Sequence, residues 1–400
     1  MAADVITQAS VTPVPAWYAK ELGKNAYADN IGSMRLEWVV RIRTAGGVEG
    51  LTIANSYMRR PDASVASLLS LLRELFLGRK ASELVSMNGK AVVGPGRSLE
   101  VALREHGWAS IAAFDLVGRS LDVSCVEMLG GPARESVEAY DSTLYFQDFL
   151  NPELGAGQCA VEALEAVQAG YRQIKIKTGR GGRWMLPEAG MRRDVEVVHA
   201  IRDAVGPDVR LMVDANFGYD GHLPLLEDFV RETAPDDLFW LEEMITADVA
   251  GYRALRTMVE RHGSRALLVC GEVDRSPISP VWLDLIREKL IDGYQPDIVS
   301  QGFLNWLSIE RSLEASAILG IPHDFGNGVF GVPAGVAWGL ANHRFAVLES
   351  ERSPSVIYDM DGYRFADGAW SYSGGPGLGI SIDEETWGRT HARHETTVEG

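Results

Sequence analysis

The stretch Val209-Arg210-Leu211-Met212-Val213-Asp214 is a short apolar run that ends on an acid. It has two counterparts downstream, Leu238-Phe239-Trp240-Leu241-Glu242 and Leu267-Leu268-Val269-Cys270-Gly271-Glu272. From 214 to 242 is 28 residues and from 242 to 272 is 30. That is about the length of one strand-plus-helix unit. Acids at the C-terminal ends of neighbouring parallel barrel strands point into one small space. Three like charges do not sit together unless a cation neutralises them. Oxygen ligands without Cys or His favour Mg²⁺ over zinc. Asp214, Glu242 and Glu272 are therefore predicted to hold a metal, and the chain is predicted to be an enzyme.

Working outward, the same rhythm fills the middle of the chain. Strands are predicted at 139–145, 173–177, 209–214, 238–242, 267–272, 293–298, 320–323 and 345–349. Helical stretches lie between them, for example 159–169, 192–205, 281–289 and 307–319. Eight strands with intervening helices are what a (β/α) barrel needs, and we assign it to residues 136–352. Upstream, Leu36, Trp38, Val40 and Ile42 alternate with polar residues as in a half-wet strand. Leu51-Thr52-Ile53 follows the Ala45-Gly46-Gly47 turn as its partner. Helices are expected at 64–78 and, as one long region, at 99–122. Residues 1–135 thus read as a small α+β domain, in which 1–33 look irregular. Residues 353–400 hold no further strand–helix unit, and 391–400 are expected to fray.

Bulk composition narrows the function. The chain has 400 residues, a net charge of -17 and three cysteines, Cys125, Cys159 and Cys270. Such acidity disfavours nucleic acid and anionic membrane surfaces. The sparse cysteines form no disulfide framework or zinc motif. No leader pattern opens at Met1 and no run is long enough to span a bilayer, so a cytoplasmic location is expected.

Further chemistry-bearing residues fall at the remaining strand ends. Asp297, His323 and Glu349 follow at gaps of 25, 26 and 26 residues. Lys175 and Lys177 lie two apart in a strand and so share a face. Two lysines facing a barrel interior need a partner or a task. Alone, His323 reads as a structural histidine and Asp297 as a helix N-cap; in register they read as a dyad. Arg180, Arg183 and Trp184 occupy the connection after the second strand. They are either a solvated loop or a reach toward an anionic substrate. Trp17 and Tyr18 are candidates for a lid, with plain packing as the alternative.

Lys-x-Lys, Asp214-x-Asn216, Glu242-Glu243, Gly271-Glu272, Pro296-Asp297, Pro322-His323 and Glu349, in that order at barrel spacing, resemble the enolase superfamily. Within it they are similar to the mandelate racemase / muconate lactonizing enzyme family, in its mandelate racemase subgroup. The resemblance implies a modified (β/α)7β TIM barrel under an N-terminal α+β capping domain, with 353–400 packing back on that cap. It implies Mg²⁺ on Asp214, Glu242 and Glu272, and a small carboxylate substrate bound through the metal. Mg²⁺ then stabilises the enediolate formed when the α-proton leaves. Lys177 is the base on one face, with Lys175 lowering its proton affinity. His323, oriented by Asp297, stands on the other. Glu349, protonated by crowding, donates to the substrate, and Asn216 contacts it; Arg180 joins them only on the loop's reach toward an anionic substrate. Two departures stand out: Met244 where the family commonly has Pro, and Ser300-Gln301-Gly302-Phe303 where it often has Gly-Gly. The expected reaction is dehydration of a sugar acid to a 2-keto-3-deoxy acid. A racemase, epimerase or cycloisomerase runs through the same enediolate. A metal-dependent hydrolase is a distant rival, because it wants several His ligands. A homo-oligomer is expected from the same resemblance.

Overall fold

Leu211, Met212 and Val213 are all buried, as a parallel strand covered on both faces requires. They belong to the third of eight strands that form the barrel in the computed structural model, which describes residues 2–275, 278–355 and 357–400. The strands are Ser136–Leu144, Gln173–Lys177, Arg210–Asp214, Trp240–Glu242, Leu267–Cys270, Gly293–Tyr294, Leu319–Gly320 and Leu348–Ser350. Each pairs with the next in parallel up to the seventh, and the eighth pairs with the first. A bridge between Gly320 and Phe345 closes the ring. Among the described residues, a helix follows each of the first seven strands and no barrel helix follows the eighth, which makes a (β/α)7β barrel. Tyr140, Met212, Trp240, Val269, Ile321 and Val347 fill its interior. This apolar layer is the floor beneath the strand-end residues.

The cap contradicts two expectations. Residues 1–33 are not irregular: Ile6–Leu22 is one long strand, antiparallel to Gly32–Thr44, which pairs in turn with Glu49–Ile53. The tail does not fray either. Thr396–Glu399 joins the other edge of Ile6–Leu22, with Gln8 opposite Glu399 and Val11 opposite Thr396. The C-terminal segment is shared between the two parts, since Ala369–Tyr372 lies antiparallel on the first barrel strand. The helical region 99–122 is broken at His106 into Glu100–Glu105 and Gly107–Leu121.

Cap and barrel meet where helix Gly107–Leu121 crosses helix Ile298–Leu313. A Cβ on Gly107 would lie 2.0 Å from the Gln301 carbonyl oxygen, and one on Gly302 would lie 1.9 Å from that of Gly107. Gly302 also has φ +64 inside its helix. Only glycine meets both demands, which accounts for Gly302 in the sequence that departs from the family pattern. Among the described residues, no helix is long and apolar enough to cross a membrane.

Candidate active site

Strand geometry gathers the acids as spacing suggested. Oxygens of Asp214, Glu242 and Glu272 lie within 4.8 Å of one another at adjacent strand ends. Asp214 and Glu242 are fully buried. Burial pushes Glu242 up to about 8, with Lys175 opposing and Asp214, Glu349 and Glu272 adding to the rise. Three carboxylates with their oxygens this close, and no Cys or His among them, are the hard donor set that fits Mg²⁺. Trp240 Nε1 and Gln295 Nε2 donate to Glu242 Oε2 at 3.0 and 3.3 Å and orient it.

Both lysines point inward and are buried. Lys175 Nζ lies 2.8 Å from Glu242 Oε1, 2.9 Å from Glu349 Oε1 and 3.6 Å from Asp214 Oδ2. Lys177 Nζ contacts Asp214 and donates to Asn216 Oδ1 at 2.9 Å. Asn216 holds φ +41. Its amide donates to Glu272 Oε1 at 3.1 Å, so one side chain links the base candidate to a metal-ligand candidate. Burial works to lower the proton affinity of Lys177, but the Asp214 carboxylate outweighs it and Lys177 stays above the ordinary lysine range. The neighbouring Lys175 does pull downward, as expected, without winning in this arrangement.

On the other side, Asp297 and His323 are bridge partners on adjacent strand ends. His323 Nδ1 lies 3.2 Å from Asp297 Oδ2, and its Nε2 lies 3.3 Å from Glu272 Oε2. Burial alone would lower the imidazole; Glu349, Glu272 and Asp297 together push it up to about 10. Asp297 is also the N-cap of Ile298–Leu313, accepting from the Ser300 amide at 2.6 Å. The two readings of Asp297 are thus both true, and the helix start locks the carboxylate that orients the ring.

Two expectations need correction. Glu349 is not a protonated donor. Burial raises it, but Lys175 and His323 prevail and hold it well below the usual carboxylate range. Its Oε2 accepts from the amides of Asp324 and Phe325 at 2.8 and 3.0 Å. Arg180 cannot contact a substrate. It is fully buried, with Nη2 2.7 Å from Asp148 Oδ1 and Nη1 2.7 Å from Asp194 Oδ1. Its charge anchors the loop after the second strand. That loop docks on the cap, where Trp184 Nε1 donates to the Asn25 carbonyl at 2.6 Å.

Sequence reasoning passed over two neighbours of the site. Gln295 was within reach, since it sits two residues before Asp297 and alternation places both on one face. Asn327 had no local signal. It lies in an irregular loop, where its amide donates to Asp297 Oδ2 at 2.8 Å and to Asp324 Oδ1 at 3.0 Å. Tyr18 does reach over the site from the cap and stacks on Phe325 with centroids 5.7 Å apart. Trp17 beside it faces outward and is 55% exposed.

A closed parallel barrel with three strand-end acids between a Lys-x-Lys strand and a His–Asp pair defines a class, and comparison with known proteins agrees. Residues 158–386 match the family model "Enolase C-terminal domain-like". The chain belongs to that family, and its relatives are members of the mandelate racemase / muconate lactonizing enzyme group. It is 27% identical over 290 residues to a D-galactarolactone cycloisomerase of Agrobacterium fabrum, covering 69% of this chain and 70% of that protein. The structure is similar to a galacturonate dehydratase from Geobacillus sp. complexed with D-galacturonate and 5-keto-4-deoxy-D-galacturonate, with TM-score 0.81 and 25% identity, covering 98% of this chain and 99% of that one. It is also similar to a mandelate racemase/muconate lactonizing protein from Geobacillus sp. Y412MC10 complexed with magnesium/tartrate, with TM-score 0.82 and 25% identity over 97% and 95% of the two chains.

Proposed function

We propose that the protein is a Mg²⁺-dependent lyase that removes the proton α to a carboxylate and dehydrates a sugar acid to a 2-keto-3-deoxy acid. The observation that carries this reading is the flanking of one acid triad by two proton carriers. Lys177 Nζ reaches the triad through Asp214, and His323 Nε2 lies 3.3 Å from Glu272. Asp214, Glu242 and Glu272 would hold Mg²⁺, which when bound would supply charge neutralisation at the substrate carboxylate. With Asp214 engaged as a ligand, its pull on Lys177 weakens, and Lys175 is left to lower the proton affinity of Lys177. Lys177 then takes the α-proton. His323, held in one ring orientation by Asp297, delivers a proton to the β-hydroxyl, which leaves as water. Tautomerisation of the enol gives the 2-keto product. Asn216 keeps Lys177 aimed, and ionised Glu349 keeps Lys175 and His323 in place. The three cysteines are free and buried, in keeping with a cytoplasmic protein, and the same reading includes a homo-oligomer acting on small molecules alone.

A second reading, racemisation, epimerisation or cycloisomerisation, is favoured by the placement of proton carriers on both flanks. Incubating the Mg²⁺-loaded protein with sugar acids in D₂O separates the two. Dehydration yields 2-keto product, whereas inverted configuration with deuterium at the α-carbon and no keto product moves the assignment to an epimerase. Absence of both keto product and α-proton exchange across the panel defeats both.

A further inference from the structure

The cavity above the triad encloses about 700 Å³ and is lined by Lys177, Glu272, Asp297 and His323 at its inner end. Its outer rim carries Arg59 and Arg60, from the cap, and Arg275, from the loop after the fifth strand. Three guanidinium groups on one rim are notable in a chain of net charge -17. They are also poorly neutralised. Arg59 is exposed, and the hydrogen bond it makes goes to the Gly326 carbonyl at 3.3 Å, an uncharged partner. Arg60 has Asp62 at 3.5 Å, but both are exposed, and such a pair contributes little. Arg275 is exposed and has no carboxylate partner among the described residues. The other arginine of the cavity behaves differently: Arg35 is paired with Glu37 at 3.0 Å and with Glu351.

The rim acids do not balance this charge. Asp274 is held in place by the Ser279 amide at 2.9 Å and by the Tyr294 hydroxyl of the sixth strand at 2.6 Å. With Glu105 it makes two rim carboxylates against three guanidinium groups. Arg59 is also tied to the reacting end. Gly326, which it contacts, is three residues past His323, at most about 11 Å of extended chain. Guanidinium forks match carboxylate and phosphate oxygens in geometry as well as charge.

We infer that the substrate carries a second anionic group, a carboxylate or a phosphate ester, at the end remote from the acid triad, and that Arg59, Arg60 and Arg275 receive it. This rests on the reading of the triad as the place where the first carboxylate binds. The substrate class is then a sugar diacid or a phosphorylated sugar acid, and a simple aldonic acid is a poor ligand.

The test uses the Mg²⁺-loaded protein and matched probes: galactaric against galactonic acid, glucaric against gluconic acid, and 6-phosphogluconate. Calorimetry reads binding, and deuterium incorporation in D₂O reads α-proton exchange. The dianions are expected to bind at least about tenfold tighter than the monoacids, since one charge-assisted contact is worth that much. That preference should shrink toward unity in R59A/R60A/R275A, and it should weaken as salt rises. A preference for the diacids or for the phosphate probe identifies which anion the rim takes. Equal binding of monoacids and dianions, or a preference that survives the triple substitution, overturns the inference. A dianion preference without any exchange or keto product leaves the rim assignment standing and removes the proposed chemistry. Exchange on monoacids with no preference does the reverse.

Discussion

The two flanks of the acid triad are built differently. The lysine flank is all barrel: Lys175 and Lys177 sit within one regular strand, buried, and their partners Asp214, Glu242 and Asn216 lie on or just beyond the next two strands. The histidine flank is assembled from irregular backbone and bolted to the cap. The Gly326 amide donates to Glu351 Oε2 at 2.7 Å, and Arg35 of the cap donates to the same oxygen at 3.0 Å. Tyr18 of the cap stacks on Phe325, two residues past His323. One proton carrier is therefore fixed by the sheet ladder, and the other depends on how a second domain sits. Asymmetry of this kind predicts unequal responses to mutation.

The largest effect separates the flanks outright. Lys177→Ala should stop removal of the α-proton on its face; His323→Ala should stop departure of the β-hydroxyl in a dehydratase, or exchange on the opposite face in an epimerase, each by roughly 10²–10⁴-fold. Both variants should keep their Mg²⁺ affinity. Deuterium incorporation into each epimer of a substrate measures the two faces, and equal loss on both faces in either variant breaks the comparison. Next comes Asp297→Asn, which removes the ring's orienting carboxylate. It should cost the histidine face roughly 10–100-fold, as loss of a group that positions a ring does, with the lysine face spared. Tyr18→Leu should be milder. An aromatic pair is worth about 0.5–1.5 kcal/mol, so a roughly two- to tenfold loss on the histidine face is the expected ceiling. An equal loss on the lysine face would show that the cap does not support His323 selectively.

The smallest effect is on stability. Burial pushes Glu37, beside Arg35 at the seam, up to about 7 from 4.5, with Arg35 opposing. Below 4.5 the group is neutral whether the chain is folded or not. Between 4.5 and 7 the unfolded chain loses the proton and the folded one keeps it. Stability therefore falls as pH rises through that window, by on the order of 1.4 kcal/mol per unit at most. Thermal melts should show the protein more stable at pH 5 than at pH 8 through this group, and Glu37→Gln should flatten the difference.

The same contrast explains what the sequence made legible. The lysine strand, the three acids and the dyad were readable because strands impose a period of two and barrels a period near the spacing of Asp214, Glu242 and Glu272. The N-terminal strand was missed because Pro13 and Pro15 interrupt its pattern. Thr396–Glu399 covers that strand only from Gln8 to Val11. Beyond Val11 no strand among the described residues pairs on that side, and proline is tolerated at such an edge. The order of the tail was invisible for a related reason, since it comes from pairing with residues nearly the whole chain away. Arg180 looked like a substrate contact because its neutralising acids, Asp148 and Asp194, come from other elements. The ionised state of Glu349 likewise depends on two cations from distant strands.

The crossing of Gly107 and Gly302 has a mechanical consequence. With two backbones already in contact there, any side chain at either position would push the roof off the barrel. Tyr18 would then be drawn away from Phe325, and the wall beside His323 with it.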